Sequence, residues 1–312
     1  MGRNLFVSLT VIAAFFIFTP VFAQQGMERQ FSGPPAGERS DHATEWLLQN
    51  HLALTASPEQ AFVDDYIVVA GEAVPSRTAV SSGERRLTAE RAATVIAYRE
   101  LAEMLHGVSV AGDTLVKGAS EQYDVVRTAV SGFIRGAEVI HKEYNEQEGV
   151  ALVILKVGRK GPSGFGTVLY QKILGDPAVK REIIEERPAF RASRPAVPEA
   201  MYDGLIVDAV GQSFRPALIN RILTVKGEML YDPSKVSQKI LVERGCGEYT
   251  NSVDKARAAL ESRGVRNALV VKASGTSGST DLVVSDDDAV RIFSADQKGR
   301  FIAEAKVAFV LK

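Results

Sequence analysis

The alternation of hydrophobic and polar residues is most regular over residues 84–105, where it has the period of an α-helix. Charged and polar residues occupy one face of this segment, and Gly107 stands where a helix of this length would end. The pattern predicts an amphipathic helix with one buried face. The residues of that face are Ala89, Ala93, Ile96, Ala97, Leu101, Met104 and Leu105.

Strand-like runs and a second helix surround this helix. Residues 66–74 and 108–116 read as strands, and residues 120–131 read as a helix. Residues 137–144 and 150–157 form a predicted hairpin, because a polar turn ending in glycine joins them. The order is therefore β-α-β-α-β-β with antiparallel hairpin partners, which is typical of an α+β sandwich and not of a doubly wound sheet.

A second set of elements follows in the C-terminal third of the chain. Apolar runs there predict strands, and Ser252 and Ser285 stand at positions that favour helix N-caps. The last run places alternate apolar residues on one face, which predicts a long terminal strand. The predicted elements are a strand at 205–210, a hairpin at 219–225 and 228–231, a helix at 252–263, a strand at 268–272, a flexible loop at 274–280, a helix after Ser285 and a strand at 301–311.

These patterns predict the α+β class, with two α/β sandwich-like domains that contain mixed or antiparallel sheets. The domains are expected over residues 61–160 and 201–312. Residues 161–200 are expected to be a helical and Pro-rich linker with limited order, its helices near 168–174 and 178–186. Residues 24–60 are expected to be flexible apart from one short helix.

The first residues of the chain have the pattern of a cleavable secretory signal peptide, residues 1–23. Arg3 supplies a positive charge, residues 5–18 are almost wholly apolar, and Val21 and Ala23 precede the expected cleavage site. Cleavage is predicted after Ala23. A transmembrane anchor is the alternative, but an apolar run of about 14 residues is too short for a bilayer core of about 30 Å. We therefore expect a periplasmic protein without a transmembrane anchor after cleavage.

Composition narrows the classes of function. The 37 basic and 38 acidic residues give a net charge of −1, which argues against a sequence-independent nucleic-acid binder. Cys246 is the single cysteine, so an exported form has no internal disulfide and relies on core burial. No cysteine follows the apolar run, so the lipid-attachment signal of a lipoprotein is absent.

A glycine-rich run, residues 158–166, is the one candidate for cofactor binding. It follows a predicted strand and precedes a predicted helix, which is the context of a phosphate-binding loop. That motif requires Lys followed by Ser or Thr at the helix start, whereas Phe165, Gly166 and Thr167 stand there. A flexible turn that leaves the first domain is the favoured interpretation, and no cofactor is predicted.

Candidate metal and catalytic residues are few. Asp286, Asp287 and Asp288 are consecutive at a predicted helix start, where they complement the helix dipole better than they converge on one ion. Cys246 has no histidine near it in sequence to act as a base. Asp208 ends a strand without an evident partner. We therefore predict no metal ligands and no catalytic residues.

Residues 66–157 resemble a known family in the order of their short motifs. A strand with Gly71, Glu72 and Ala73 leads into the helical segment 91–101, followed by segments 107–110, 114–116 and 130–137. This order resembles the Lpp-twenty outer-membrane lipoprotein family and the N-terminal domain of flagellar assembly protein T. The resemblance implies an α+β module without catalysis, located in the periplasm or peripheral to the outer membrane. It implies flagellar basal-body components as partners.

The leading hypothesis is a non-enzymatic exported protein that binds envelope proteins or peptidoglycan, as an interaction or assembly factor. The alternative is an exported hydrolase with a dispersed site at the domain junction, which would use Asp208 or Cys246. That alternative requires a deep cleft with convergent acids or a thiol beside a base. A third hypothesis, a sensor of small ligands or glycans, requires an aromatic groove, and the single tryptophan makes it weaker.

Overall fold

The computed structural model describes residues 41–184, 186–192 and 200–311, all within one compact unit. The helices are α1 Asp41–Gln49, α2 Gln60–Asp64, α3 Ser82–His106, α4 Val116–Gln122, α5 Asp124–Arg135, α6 Phe165–Gly175, α7 Pro177–Ile183, α8 Gln238–Arg244, α9 Val253–Glu261 and α10 Asp286–Gly299. The strands are β1 Tyr66–Ala73, β2 Ser109–Ala111, β3 Thr114–Leu115, β4 Glu138–Asn145, β5 Val150–Gly158, β6 Gly204–Asp208, β7 Ile222–Thr224, β8 Met229–Tyr231, β9 Glu248–Thr250, β10 Ala268–Lys272, β11 Gly275–Ser277, β12 Asp281–Val284 and β13 Val307–Val310. The expected α+β class is confirmed at this level.

The first sheet is antiparallel, with strand order β1-β5-β4. Helix α3 covers one face, and it begins with a capping box in which Ser81 and Glu84 bond to each other's backbone N–H groups. In the predicted stripe of α3, five residues are buried and two, Ile96 and Met104, are partly buried. Gly71 of β1 permits this close packing, because a Cβ there would lie 2.2 Å from the carbonyl oxygen of Ala93.

Helix α1 covers the opposite face of the first sheet. Ala43 and Leu47 pack there against Val68 and Ile154. The central strand β5 is therefore buried on both sides, as its sequence predicted. The short helix expected in the N-terminal segment is thus confirmed, and it belongs to the core.

Two predicted elements between α3 and β4 are each divided into two. The expected strand at 108–116 is a small antiparallel ribbon, β2-β3, which turns at Gly112 with a positive φ of 56°. The expected helix at 120–131 is two helices, α4 and α5, because Tyr123 is extended between them. Gly112 and Asp113 are turn-type residues that mark the first break, and the prediction of one continuous strand passed over them.

The segment expected to be a linker supplies part of the core. Helices α6 and α7 lie near the predicted positions, but Phe165, Leu169, Tyr170 and Ile173 of α6 are buried. These side chains belong to a single hydrophobic cluster that includes residues of both predicted domains. Helices α6 and α7 are therefore packed into the core instead of forming a segment of limited order.

The second sheet is wholly parallel, with strand order β10-β6-β13-β9. The expectation of mixed or antiparallel sheets is wrong for this sheet. Helix α9 connects β9 to β10 and covers one face, where Ala256 and Leu260 pack on Ile206 and Ala308. Strands buried on both faces read as continuous apolar runs, and such runs do not reveal strand direction.

The third sheet is mixed, with strand order β11-β12-β7-β8. The predicted hairpin is present as β7-β8, but the loop expected at 274–280 contains strand β11, which pairs with β12. The last strand is β13 alone. Arg300 and Ala305 have positive φ values of 51° and 49°, which end any extended run before Lys306.

Candidate functional site

A cleft of about 220 Å³ opens at the carboxyl ends of the two central strands of the parallel sheet. Ala209 follows β6 and Leu311 follows β13, and both line it. Ligands of open parallel sheets bind at this edge, because the loops that leave the strands converge there. The remaining lining residues are Gln212, Phe214 and Pro216 on the sheet side and Ser57, Glu59, Gln60 and Val63 on the side of α2.

The loop after β6 is held in a tight turn. The Oδ1 atom of Asp208 accepts the N–H of Val210 at 3.0 Å, and Gln212 N–H donates to the carbonyl of Ala209 at 2.9 Å. Gly211 takes a φ of 87°, which favours glycine. Asp208, a candidate acid in the sequence, therefore shapes the sheet side of the cleft.

The other side of the cleft is the start of α2. Ser57 Oγ accepts the N–H of Gln60 at 3.2 Å, and the Gln60 side-chain Nε2 donates to Asp64 at 2.8 Å. Glu59 forms an ion pair with Arg215 at 3.8 Å. Since Arg215 lies between the lining residues Phe214 and Pro216, this pair connects the two sides.

A buried ionic cluster lies where the turn after β5 meets the parallel sheet. The Arg159 side chain is 1% exposed, and its guanidinium donates to Asp65 through Nε at 2.8 Å and through a second nitrogen. Lys160 bridges Asp65 at 2.5 Å and Glu248 at 2.8 Å. Arg263 also binds Glu248, at 2.5 Å. The cluster joins the first sheet to β9 and to the end of α9.

Electrostatics favour the charged forms of Asp65 and Arg159 in this cluster. Burial raises the pKa of Asp65, but the charges of Arg159 and Lys160 outweigh that effect, so the pKa lies below its usual range. Burial lowers the pKa of Arg159, but the Asp65 carboxylate more than compensates and the pKa lies above its usual value. The Arg159 guanidinium also lies over the rings of Phe62 and Tyr249, at 5.6 and 5.3 Å from the centroids.

The glycine-rich run is a packed turn built around Arg159. It does follow a strand and precede a helix, as the sequence indicated. A Cβ at Gly164 would lie 2.4 Å from the carbonyl oxygen of Arg159, and the N–H of Gly166 donates to the same oxygen. The start of α6 is buried at Phe165, Gly166 and Thr167. The glycines therefore permit close backbone packing, and the turn is not the free loop that was expected.

Cys246 lies in the core and contacts tyrosine hydroxyls. Its side chain is fully buried, and Sγ lies 3.0 Å from the Tyr249 hydroxyl. That hydroxyl donates to Asn220 at 2.6 Å, and burial raises the pKa of Tyr249 well above its usual value. His141, a histidine of β4, stacks on Trp46 at 4.5 Å on the first sheet, away from Cys246 in the core.

Two of the three aspartates at the start of α10, Asp286 and Asp288, contact neighbouring side chains. Ser285 caps the helix by accepting the N–H of Asp288 at 3.1 Å, and Arg291 pairs with Asp288 at 2.7 Å. Asp286 lies 3.9 Å from Lys226. Within the residues that the structure describes, no three His, Cys, Asp or Glu side chains are grouped as metal ligands would be.

Two further expectations concern the signal peptide and a transmembrane anchor. The signal-peptide segment and its cleavage site at Ala23 lie outside the described residues. Among helices within the described ranges, none combines the length and apolar character needed to span a bilayer.

No feature of the sequence indicated the cleft. Its α2 side is formed by Ser57, Glu59, Gln60 and Val63, about 150 positions before the loop that faces them, and none of these residues belongs to a motif. The carboxyl ends of parallel strands would have indicated the position of the cleft, but the strand directions were not predicted. Asp208 was the only candidate residue near this edge.

Comparison with known proteins changes one expectation. A scan of family models finds neither the Lpp-twenty family nor flagellar assembly protein T, so the resemblance of residues 66–157 is wrong. The motifs that carried it, Gly71 and the alanine stripe of α3, reflect close helix-on-sheet packing, which is not specific to one family. A search of curated proteins finds no significant match. Residues 204–312, which hold the parallel sheet and one side of the cleft, match the family model described as Treponema pallidum Tp0624, second domain.

Proposed function

We propose that this chain is an exported, non-enzymatic protein of the cell envelope that binds an envelope component in the cleft between α2 and the parallel sheet. The observation that carries the proposal is the position of the cleft, at the carboxyl ends of β6 and β13. Its two sides come from distant parts of the chain, and the shared core fixes their separation. A preformed cleft of this kind favours binding with little rearrangement.

The contacts of the candidate reactive groups favour binding over hydrolysis. The hydrolase alternative would use Cys246 or Asp208, but Cys246 is buried against Tyr249 and an Asp208 oxygen accepts the Val210 N–H. Glu59 is the acid that lines the cleft, and its ion-pair partner is Arg215. These groups have structural contacts that account for their presence without a catalytic role.

The export part of the proposal rests on residues 1–23. We expect cleavage after Ala23, a periplasmic location and two α/β sandwich-like regions in the mature chain. The partner would then be an envelope protein or peptidoglycan. Fractionation of cells followed by intact mass measurement tests this directly. The expected result is a periplasmic protein that begins at Gln24, and a cytoplasmic protein that retains residues 1–23 would contradict it.

Binding in the cleft is tested by site-specific photo-crosslinking. A diazirine-bearing residue about the size of glutamine, placed at Gln212, lies in the cleft without filling it, and the same residue at Arg257 on the exposed side of α9 serves as the control. After illumination in an envelope extract, we expect a discrete adduct from the Gln212 variant that the Arg257 variant lacks. Equal adduct patterns from the two positions, or no adduct at Gln212, would contradict a binding role for the cleft.

A further inference from the structure

We propose that the cleft accepts a primary ammonium group carried on an apolar stem, such as a lysine-like side chain presented by a larger envelope component. The inference rests on the proposed binding function and gives its ligand a chemical class. Three observations support it: the acceptor groups of the lining residues, the weak ion pair at Glu59, and the size and apolar part of the cleft.

Each of the two lining amides uses one of its N–H donors within the protein. Gln60 Nε2 donates to Asp64 at 2.8 Å, and Gln212 Nε2 donates to the carbonyl of Ala273 at 3.3 Å. Across the part of the chain that the structure describes, no protein donor contacts the Oε1 atom of either amide. Each amide therefore has its carbonyl oxygen to offer to a ligand, and an ammonium group needs several such acceptors.

Glu59 supplies the negative charge. Its side chain is 40% exposed, and its distance of 3.8 Å to Arg215 is longer than a hydrogen bond. Exposed ion pairs of this kind contribute little to stability, so an incoming cation can replace Arg215 at small cost. Because the pair connects the two sides of the cleft, the carboxylate is placed where a ligand would meet it.

The remaining lining residues suit the stem of the ligand. Val63, Phe214 and Leu311 give the cleft an apolar portion, and the ring of Phe214 is fixed by Phe309 at 5.6 Å between centroids. A volume of about 220 Å³ is below the usual range of about 300–1,000 Å³ for pockets that hold whole small molecules. The cleft therefore fits a side chain or chain end better than a glycan.

Three probes of matched length separate charge from shape: pentylamine, pentanol and pentanoate. Titration into the ¹⁵N-labelled mature protein is followed by NMR, with the side-chain signals of Gln60 and Gln212 as reporters. We expect pentylamine to bind at least about tenfold more tightly than the other two, since only its ammonium group donates charge-assisted hydrogen bonds to Glu59 and the amide oxygens. Tighter binding of pentanol or pentanoate would overturn the ammonium assignment.

Two variants and a control test whether Glu59 supplies the negative charge that binds the ligand. Glu59→Gln should weaken pentylamine binding about tenfold, and Arg215→Gln should strengthen it by removing the competing cation. Glu261→Gln changes the same net charge at an exposed position on α9 and should leave binding unchanged. Equal losses from the Glu59 and Glu261 variants would overturn the proposal. Photo-crosslinking at Gln212 does not depend on ligand charge, so it distinguishes failure of this inference from failure of the binding function.

Discussion

The Asp65→Asn substitution tests the ionic cluster that joins the two halves of the core. Asp65 has a left-handed backbone with φ of 63°, which asparagine also adopts without large strain. The amide keeps one acceptor for Arg159 but removes the negative charge. The variant therefore isolates the electrostatic contribution of the carboxylate from its role in the backbone turn.

The size of the effect follows from the burial of Arg159. Removing one partner of a buried ion pair leaves an uncompensated charge and destabilises by about 3–5 kcal/mol. Asp65 is itself 39% exposed, and Arg159 keeps Glu248 at 3.9 Å and the Gly247 carbonyl at 3.4 Å. We therefore expect a loss near the lower end, about 3 kcal/mol, or a fall in Tm of roughly 5 °C for a chain of this size.

Urea unfolding of the mature protein, followed by circular dichroism, measures this loss of stability. The pH dependence of the loss shows whether the charge of the carboxylate causes it. Because the folded pKa of Asp65 is lowered, the stability it contributes is present above its unfolded pKa of about 3.9. That contribution is lost as the pH falls through the folded pKa. The difference between the wild type and Asp65→Asn should be constant from pH 5 to 8 and shrink below pH 4.

An exposed ion pair provides the matched control. Glu304 lies 2.8 Å from Lys306 and is 47% exposed, so Glu304→Gln should cost about 0–1 kcal/mol. If Asp65→Asn costs no more than this control, the cluster does not stabilise the junction as described. A difference that stays unchanged below pH 4 would also refute the assignment of the effect to the carboxylate charge.

Three further predictions concern packing and burial. Gly71→Ala should destabilise by about 3 kcal/mol or more in urea unfolding, because a Cβ would overlap the backbone of α3, whereas Gly132→Ala in the open interior of α5 should stabilise by about 0.5–1 kcal/mol. Cys246 should react with a thiol reagent only after unfolding, and rapid labelling of the native protein would contradict its burial. Ser81→Ala should cost about 1 kcal/mol by removing the cap of α3, and an unchanged urea midpoint would speak against the cap.

Elements that depend on residues close together in the sequence were predicted well. Helix α3 and the β4-β5 hairpin were located within about two residues, because amphipathic periodicity and turn residues are local properties. The caps at Ser252 and Ser285 were likewise correct, since each side chain accepts a backbone N–H three residues later. These features depend on residues close to one another in the chain, so the sequence alone shows them.

Features that depend on distant contacts were missed. The strands of the parallel sheet carry apolar runs that do not encode direction, and the apolar residues at Phe301 and Ala305 are buried beneath turns instead of lying in a strand. The role of the glycine run could not be predicted, because it depends on the burial of Arg159. The sequence does not distinguish a buried arginine from an exposed one. The cleft could not be predicted, because it forms only where the loops after the parallel strands meet α2.

The central claim, that the cleft binds an envelope component, is tested most directly by filling it. Gln212→Trp places a bulky ring in the cleft, and Arg257→Trp adds the same ring on the exposed side of α9. Both variants should remain folded, as judged by urea unfolding, and each is compared with the wild type for capture of the component identified by crosslinking. We predict that Gln212→Trp abolishes capture and Arg257→Trp retains it, whereas undiminished capture by the folded Gln212→Trp variant would contradict the claim.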